Sequence, residues 1–405
     1  MIKKLYSVLC LMVCSCLLSG CIEEYEADIE AEDDNLLVVE GTICSSQLNQ
    51  FSLSRTQPLY SYDPHRLVTG AKVSVRGSDG SEYVTQEAFG NYTCWIDALD
   101  PDVDYYLHIE IDGDVYESEP QKPLRTEPIA EVLGVQNTPE SNIDVLVTPG
   151  VPFESDKVNF YSWTYDETWE VHSDYTTRVY FDTELMKAVF KDHQFPERGW
   201  KDGRNSDIMV GASTNYDRQH IQRLKIYGIN RSSEQIYYMY SGLIHQRAIS
   251  KAEYEYELAR RQAGSGMGGL FTPLPSARPT NIRCLTSQKH VIGFVGCSLN
   301  TSDYRFFFNA NDFSVYRPPQ KDTRIWFDDT SMEECLWMVD RGMFLCVWED
   351  KRMEPGGRLR TAWATENQLD VRAKGAYIEK PDYWPSEAGA RASRPQLRPC
   401  GRLGD

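Results

Sequence analysis

Between Tyr105 and Ile111 the side chains alternate strictly. Tyr105, Leu107, Ile109 and Ile111 fall on one side, Tyr106, His108 and Glu110 on the other. A period of two marks a strand with one buried face, because successive Cβ atoms leave opposite sides of an extended backbone. A helix would scatter the same residues around its axis. The period recurs at Phe51, Leu53 and Arg55 between serines, and at Ala71, Val73 and Val75 around Lys72 and Ser74. Asp79-Gly80 and Asp112-Gly113 supply the positive φ that two-residue hairpins need. The apolar run Leu36 to Val39 stops at Gly41, and Gly90-Asn91-Tyr92 opens a further strand. About seven short strands at this spacing predict a β-sandwich over residues 36–126. Pro120, Pro123 and Pro128 follow as a stiff linker.

Residues 127–384 predict a larger β-rich second region. Strands are expected at 158–164, 178–181, 223–229, 235–243, 291–295, 304–309 and 323–327. One clear helix is expected at 250–263: Ser250 and Glu253 form a capping box, good helix formers follow, and Gly264 suits the left-handed exit. Residues 334–348 read as a hairpin turning at Asp340-Arg341. That register sets Cys335 opposite Cys346, at the ~4.5–5.5 Å Cα spacing of directly opposed residues, which a disulfide can span. From 385 to 405, Ala, Arg, Pro and Gly dominate without periodicity, which predicts a disordered tail.

The start of the chain decides where all this must fold. Lys3 and Lys4 precede an uncharged apolar run, Leu5 to Leu18, that ends at Leu18-Ser19-Gly20-Cys21. Residues 1–20 read as a secretory leader, too short to span a membrane. Leu-Ser-Gly-Cys resembles the bacterial lipobox, in which the cysteine takes a diacylglyceryl group and becomes the first mature residue, so Cys21 is the expected lipidation site. Each CH₂ buried in the bilayer contributes roughly 0.8 kcal/mol of membrane affinity. Residues 21–35 are strongly acidic. They suit a solvated tether, and they also resemble the surface-export signal of Bacteroidetes lipoproteins.

The formal net charge is −18. Losing the leader removes only Lys3 and Lys4, leaving −20, so bulk electrostatics exclude nucleic acid and anionic lipid as partners. Seven cysteines remain beyond the leader and Cys21, with no C-x-x-C pair, which argues against zinc and thioredoxin-like sites. The seven histidines never fall at metal-ligand spacing. Asp100, Asp102 and Asp104 imitate a calcium loop, but Tyr105 and Ile111 stand where Gly and Glu are needed. Gly264, Gly266 and Gly269 match G-x-G-x-x-G, yet they follow a helix and do not precede one, as phosphate binding requires. No catalytic residue, metal or cofactor is expected. Glu167 and Glu170 are the one carboxylate pair near an aromatic cluster. A glycosidase would need them about 5 Å or about 6.5–9.5 Å apart across a cleft. Trp163, Trp169, Tyr237, Tyr238 and Tyr240 fit core packing at strand spacing. They also fit a stacking surface for a glycan or peptide, with Trp163 and Trp169 as its rings.

The order of several weak pieces resembles one family, the Bacteroidetes outer-membrane lipoproteins grouped as domain of unknown function 4249. The pieces are Leu37-Val38-Val39-Glu40-Gly41, Gly70-Ala71-Lys72-Val73, Gly90-Asn91-Tyr92 and Glu167-Thr168-Trp169-Glu170. Ile249-Ser250 through Tyr254, Gly269-Leu270-Phe271, Asn281-Ile282, Ile292-Gly293-Phe294 and Lys380-Pro381-Asp382-Tyr383-Trp384 complete them. Members often carry cysteine before the tryptophan of Gly199-Trp200, and a Cys-x-Asp-Cys element where this chain has Gln368-Leu369-Asp370-Val371. Their disulfides therefore do not transfer. The resemblance implies an immunoglobulin-like first domain and pairing with a TonB-dependent outer-membrane transporter. The expectation is a lipid-anchored, surface-exposed, non-enzymatic binding or accessory subunit, with a surface glycan hydrolase or an adhesin module as alternatives.

Overall fold

Alternation in the first hundred described residues produces two facing sheets. In this computed structural model residues 35–57, 66–153, 157–192, 195–264, 280–319 and 321–386 are described. The leader, Cys21, nearly all of the acidic segment and the tail beyond residue 386 lie outside them. The chain is mainly β, with few helices and no closed barrel.

The first sheet orders its strands 291–298, 37–44, 47–55, 91–96 and 86–88. The second orders them 282–284, 114–118, 105–111, 72–77 and 82–84. Between them lies a core of Leu37, Ile43, Phe51, Leu53, Tyr92, Ile96, Leu107 and Ile109, the inward residues of the alternating runs. Two strands come from far along the chain. Val291–Ser298 runs parallel to Leu37–Cys44, and Ile282–Cys284 extends the opposite sheet beside Asp114–Ser118. Gly293 makes the parallel contact possible. Its φ is +124°, and a Cβ there would stand 1.8 Å from the Val39 carbonyl oxygen.

A second pair of sheets follows. Ile129–Val135, Ile143–Pro149 and Leu224–Ile229 form one; Arg198–Ala212, Phe160–His172, Met239–Ile249 and Ser302–Asn309 form the other. Tyr161, Trp163, Ile226, Ile244 and Phe308 fill the space between. The expected helix is present at Lys251–Gly264. It joins the two layered units: Arg247 on the strand before it pairs with Glu253, Arg260 reaches Glu40 of the first sheet at 3.0 Å, and Tyr256 packs on Phe294.

Two local expectations are corrected. The 158–164 strand does not stop before the acidic-aromatic cluster; one strand, Phe160–His172, carries it throughout. The 334–348 hairpin does not exist. Met332–Asp340 is an α-helix, and Phe344–Asp350 is a strand of a small sheet with Leu359–Ala364 and Ile325–Phe327. Ser331 and Glu334 cap the helix reciprocally, and Met332, Cys335, Leu336 and Val339 form an apolar stripe at helical spacing. The helix carries Cys335 into a core with Phe181, Leu345 and Trp363, while Cys346 stays half-buried on the strand. Both are free thiols, and burial pushes each up to about 11.

Candidate functional site

The long strand Phe160–His172 is the centre of the second unit, paired on one side with Arg198–Ala212 and on the other with Met239–Ile249. Between Trp163 and Tyr165 the Arg198–Ala212 partner takes two extra residues, from Met209 back to Asn205. Because the strand is extended, neighbours in sequence point to opposite faces. Two separate polar networks result.

On the core face, Glu167 Oε1 accepts a hydrogen bond from the Tyr240 hydroxyl at 2.8 Å, and Oε2 accepts one from Gln235 Nε2 at 3.4 Å. The Tyr227 and Tyr240 hydroxyls are 2.8 Å apart. Tyr240 spends its single proton on Glu167, so Tyr227 must donate to Tyr240, giving a directed chain that ends on the carboxylate. The Tyr165 ring stacks on Tyr227 at 3.8 Å. Burial pushes the Glu167 carboxyl above its usual range, against the two bonds that hold it down. Burial likewise holds Tyr227 and Tyr240 protonated.

On the other face, Glu170 is buried but paired twice, to His172 Nε2 at 2.6 Å and Arg198 Nη2 at 2.8 Å. Burial opposes its ionisation, yet these two partners bring the carboxyl below its usual range. The His172 ring stacks on Tyr238 at 3.7 Å, and the Arg317 guanidinium lies 5.1 Å from the same ring.

One register further, Thr168 Oγ donates to Asp202 Oδ1 at 2.7 Å and receives the Tyr383 hydroxyl at 2.9 Å. Tyr377 also donates to Asp202, at 3.1 Å. Tyr377 and Tyr383 belong to a strap that crosses this face. Its backbone exchanges two hydrogen bonds with Trp200, at 2.8 and 2.9 Å. Trp384 ends it, edge-on to Trp200 and Phe307, and the Arg305 guanidinium covers the Tyr383 ring at 3.6 Å.

These placements decide what the expected site residues can do. Trp163 is 1% exposed and donates its indole N–H to Gln246 Oε1 at 2.9 Å, so it is core and presents no face to a ligand. Trp169 is a half-buried wedge between the main core and Val171, Val371 and Ala376. Its N–H is enclosed without an acceptor among the described residues. Tyr240 is buried as well. Glu167 and Glu170, three residues apart on one strand, leave opposite faces and cannot flank one substrate bond. Among the described residues no group of three His, Cys, Asp or Glu stands where it could hold a metal. What the local pattern did not signal is the strap, whose partners lie about 200 residues away in sequence.

The family described as Domain of unknown function (DUF4249) matches the chain over residues 22–303. The match covers both layered units as far as the Ser302–Asn309 strand and stops before the strap. No curated protein matches the chain.

Proposed function

Given that the chain belongs to the DUF4249 family, we propose that it is an outer-membrane, cell-surface lipoprotein serving a TonB-dependent transporter as a non-enzymatic binding or accessory subunit. The leader supports the location: a basic start, an apolar run and Leu18-Ser19-Gly20-Cys21. Among the described residues no helix is long and apolar enough to cross a membrane, so the acyl chains on Cys21 would be the anchor.

The observation that carries the binding reading is the division of the Phe160–His172 carboxylates between two faces. General acid–base work needs a carboxyl within reach of the proton it moves. Glu167 ends a buried tyrosine chain on one face, while on the other Glu170 pairs with Arg198 and His172 and Asp166 pairs with Arg204 and His245. Glu167 and Glu170 do not face one cleft, which supports a binding role over the hydrolase alternative built on that pair. Two measurements test the proposal. Cys21→Ala should leave the protein soluble after a high-salt wash, and the wild type solubilised in mild detergent should bring down an outer-membrane β-barrel transporter. Stable membrane association of the variant sinks the anchor, and purification of the wild type alone sinks the partnership.

A further inference from the structure

The first sheet has an outer face unlike the rest of this acidic chain. Its strands Gln47–Arg55, Asn91–Ile96 and Gln86–Ala88 pair in register, with Leu48 opposite Trp95, Gln50 opposite Thr93 and Ser52 opposite Asn91. Each of these points away from the core. Charged residues make up 25% of the chain, yet none shares the side of Leu48 and Trp95 on these three strands; Glu87, opposite Tyr92, is exposed at the edge strand. Exposed carboxylates border the face: Asp97, which accepts the Trp95 indole N–H, and Glu87 on the edge strand; Glu40 on the adjoining strand is paired with Arg260.

Trp95 stands at one end of this face, 57% exposed, beside Leu48 at 59%. Its indole N–H donates to Asp97 Oδ1 at 2.6 Å, which fixes the ring's orientation while leaving a face to solvent. Gln50 Nε2 donates to Asn91 Oδ1 at 2.9 Å, so the amides are held by each other and keep free donor and acceptor capacity outward. Rows of such groups stand about 4.8 Å apart across strands and about 6.7 Å apart along them.

We propose that this face, centred on Trp95, binds an uncharged oligosaccharide. A pyranose ring has an apolar C–H face that stacks on an indole, and hydroxyls around its rim that pair with amides and hydroxyls. Trp95 with Leu48 supplies the first surface, and Gln50, Asn91, Thr93 and Ser52 supply the second. The bordering carboxylates Asp97 and Glu87, with the net charge of −18, select against an anionic glycan. The proposal deepens the binding-subunit reading by naming its ligand class and rests on it only for the biological setting.

The test is affinity electrophoresis of the full lipoprotein in detergent through gels containing an α-glucan, a β-glucan, a mannan or a xylan. Polygalacturonate serves as the anionic control. At least one neutral polymer should retard the wild type. Trp95→Ala should weaken that binding at least about tenfold, or ~1.4 kcal/mol, with unchanged circular dichroism, and Trp95→Tyr should restore most of it. Trp337→Ala removes another exposed indole, 48% exposed and capped by Arg341, and should change nothing. No retardation by any neutral polymer, equal retardation of Trp95→Ala, or preference for polygalacturonate overturns the proposal. So does loss of self-association or transporter capture in Trp95→Ala, which would make the face a protein interface. Glycan binding with no transporter recovered would leave this inference standing and remove only the partnership.

Discussion

Replacing Trp163 asks whether the second unit's core depends on a ring that its sequence neighbourhood of carboxylates makes look exposed. The side chain is essentially inaccessible, touches Tyr161 at 5.8 Å between ring centres, and hydrogen-bonds Gln246. Truncation to alanine removes the transfer free energy and leaves a cavity, together about 3–5 kcal/mol for a buried tryptophan. It also strands the Gln246 Oε1, for roughly 1–3 kcal/mol more. The sum, about 4–8 kcal/mol, rivals the whole stability of an ordinary domain, about 5–15 kcal/mol. Trp163→Ala should therefore unfold this unit at low urea. A milder cycle separates the terms. Trp163→Phe and Gln246→Leu each leave one buried partner unpaired, while the double variant removes the pair, so the two losses should fall short of additive by about 0.5–3 kcal/mol. Urea unfolding followed by circular dichroism gives each value from the midpoint and slope. A Trp163→Ala loss below about 1 kcal/mol, or additive single losses, would refute the assignment of this ring to the core.

Three further outcomes follow from the same geometry. Gly293→Ala meets the Val39 carbonyl in a backbone conformation reserved for glycine; it should cost at least the roughly 1–3 kcal/mol of backbone strain, and a thermal midpoint within a degree of wild type would contradict this. Because burial raises the folded Glu167 pKa above its unfolded value, the folded chain holds the extra proton, and stability falls as pH rises from the unfolded carboxyl range near ~4.3 through the folded value. Glu167→Gln should gain on wild type across that window, and a stability difference flat from pH 4 to 8 would count against the buried network. Without reductant, Cys335 and Cys346 should both alkylate after denaturation. Among the described cysteines of the native protein Cys284 should react first, since, against its slight burial, Ser287 and Thr286 hydrogen bonds lower its pKa; a cross-linked Cys335–Cys346 peptide would overturn the free-thiol assignment.

Local periodicity carried a good part of the fold. The strands at 105–111, 72–77 and 47–55 and the helix at Lys251–Gly264 sit where alternation and capping residues put them. The error at 334–348 has a plain source. Cysteine, leucine, tryptophan, methionine and valine in a short apolar run suit either structure, and a turn at Asp340-Arg341 made a hairpin equally drawable. The deciding signal was Ser331 with Glu334, the same capping box that marks Ser250 with Glu253. The site was less legible. Aromatics beside carboxylates in 163–170 suggested a surface, but a strand's two faces were needed to sort them, and the strap covering one face comes from residues 376–384. Trp95 lies in a run that reads as another half-buried strand; only the register opposite Leu48 shows both large apolar side chains on the wet side.

The parallel pairing of Leu37–Cys44 with Val291–Ser298 sets a timetable for assembly. A chain emerging from its N-terminus presents the first of these strands at the outset and the second only after about 250 further residues, a loop whose closure entropy grows slowly with length but must be met before the contact forms. Until then one edge of Leu37–Cys44 is unpaired, and unpaired edges recruit strands from other chains. Val291, Val295 and Cys297 also help fill the first core. The sandwich is thus finished by the late part of its own chain, so a fragment cut at residue 126 would carry the alternation that predicts a domain and still lack two of the strands that close it.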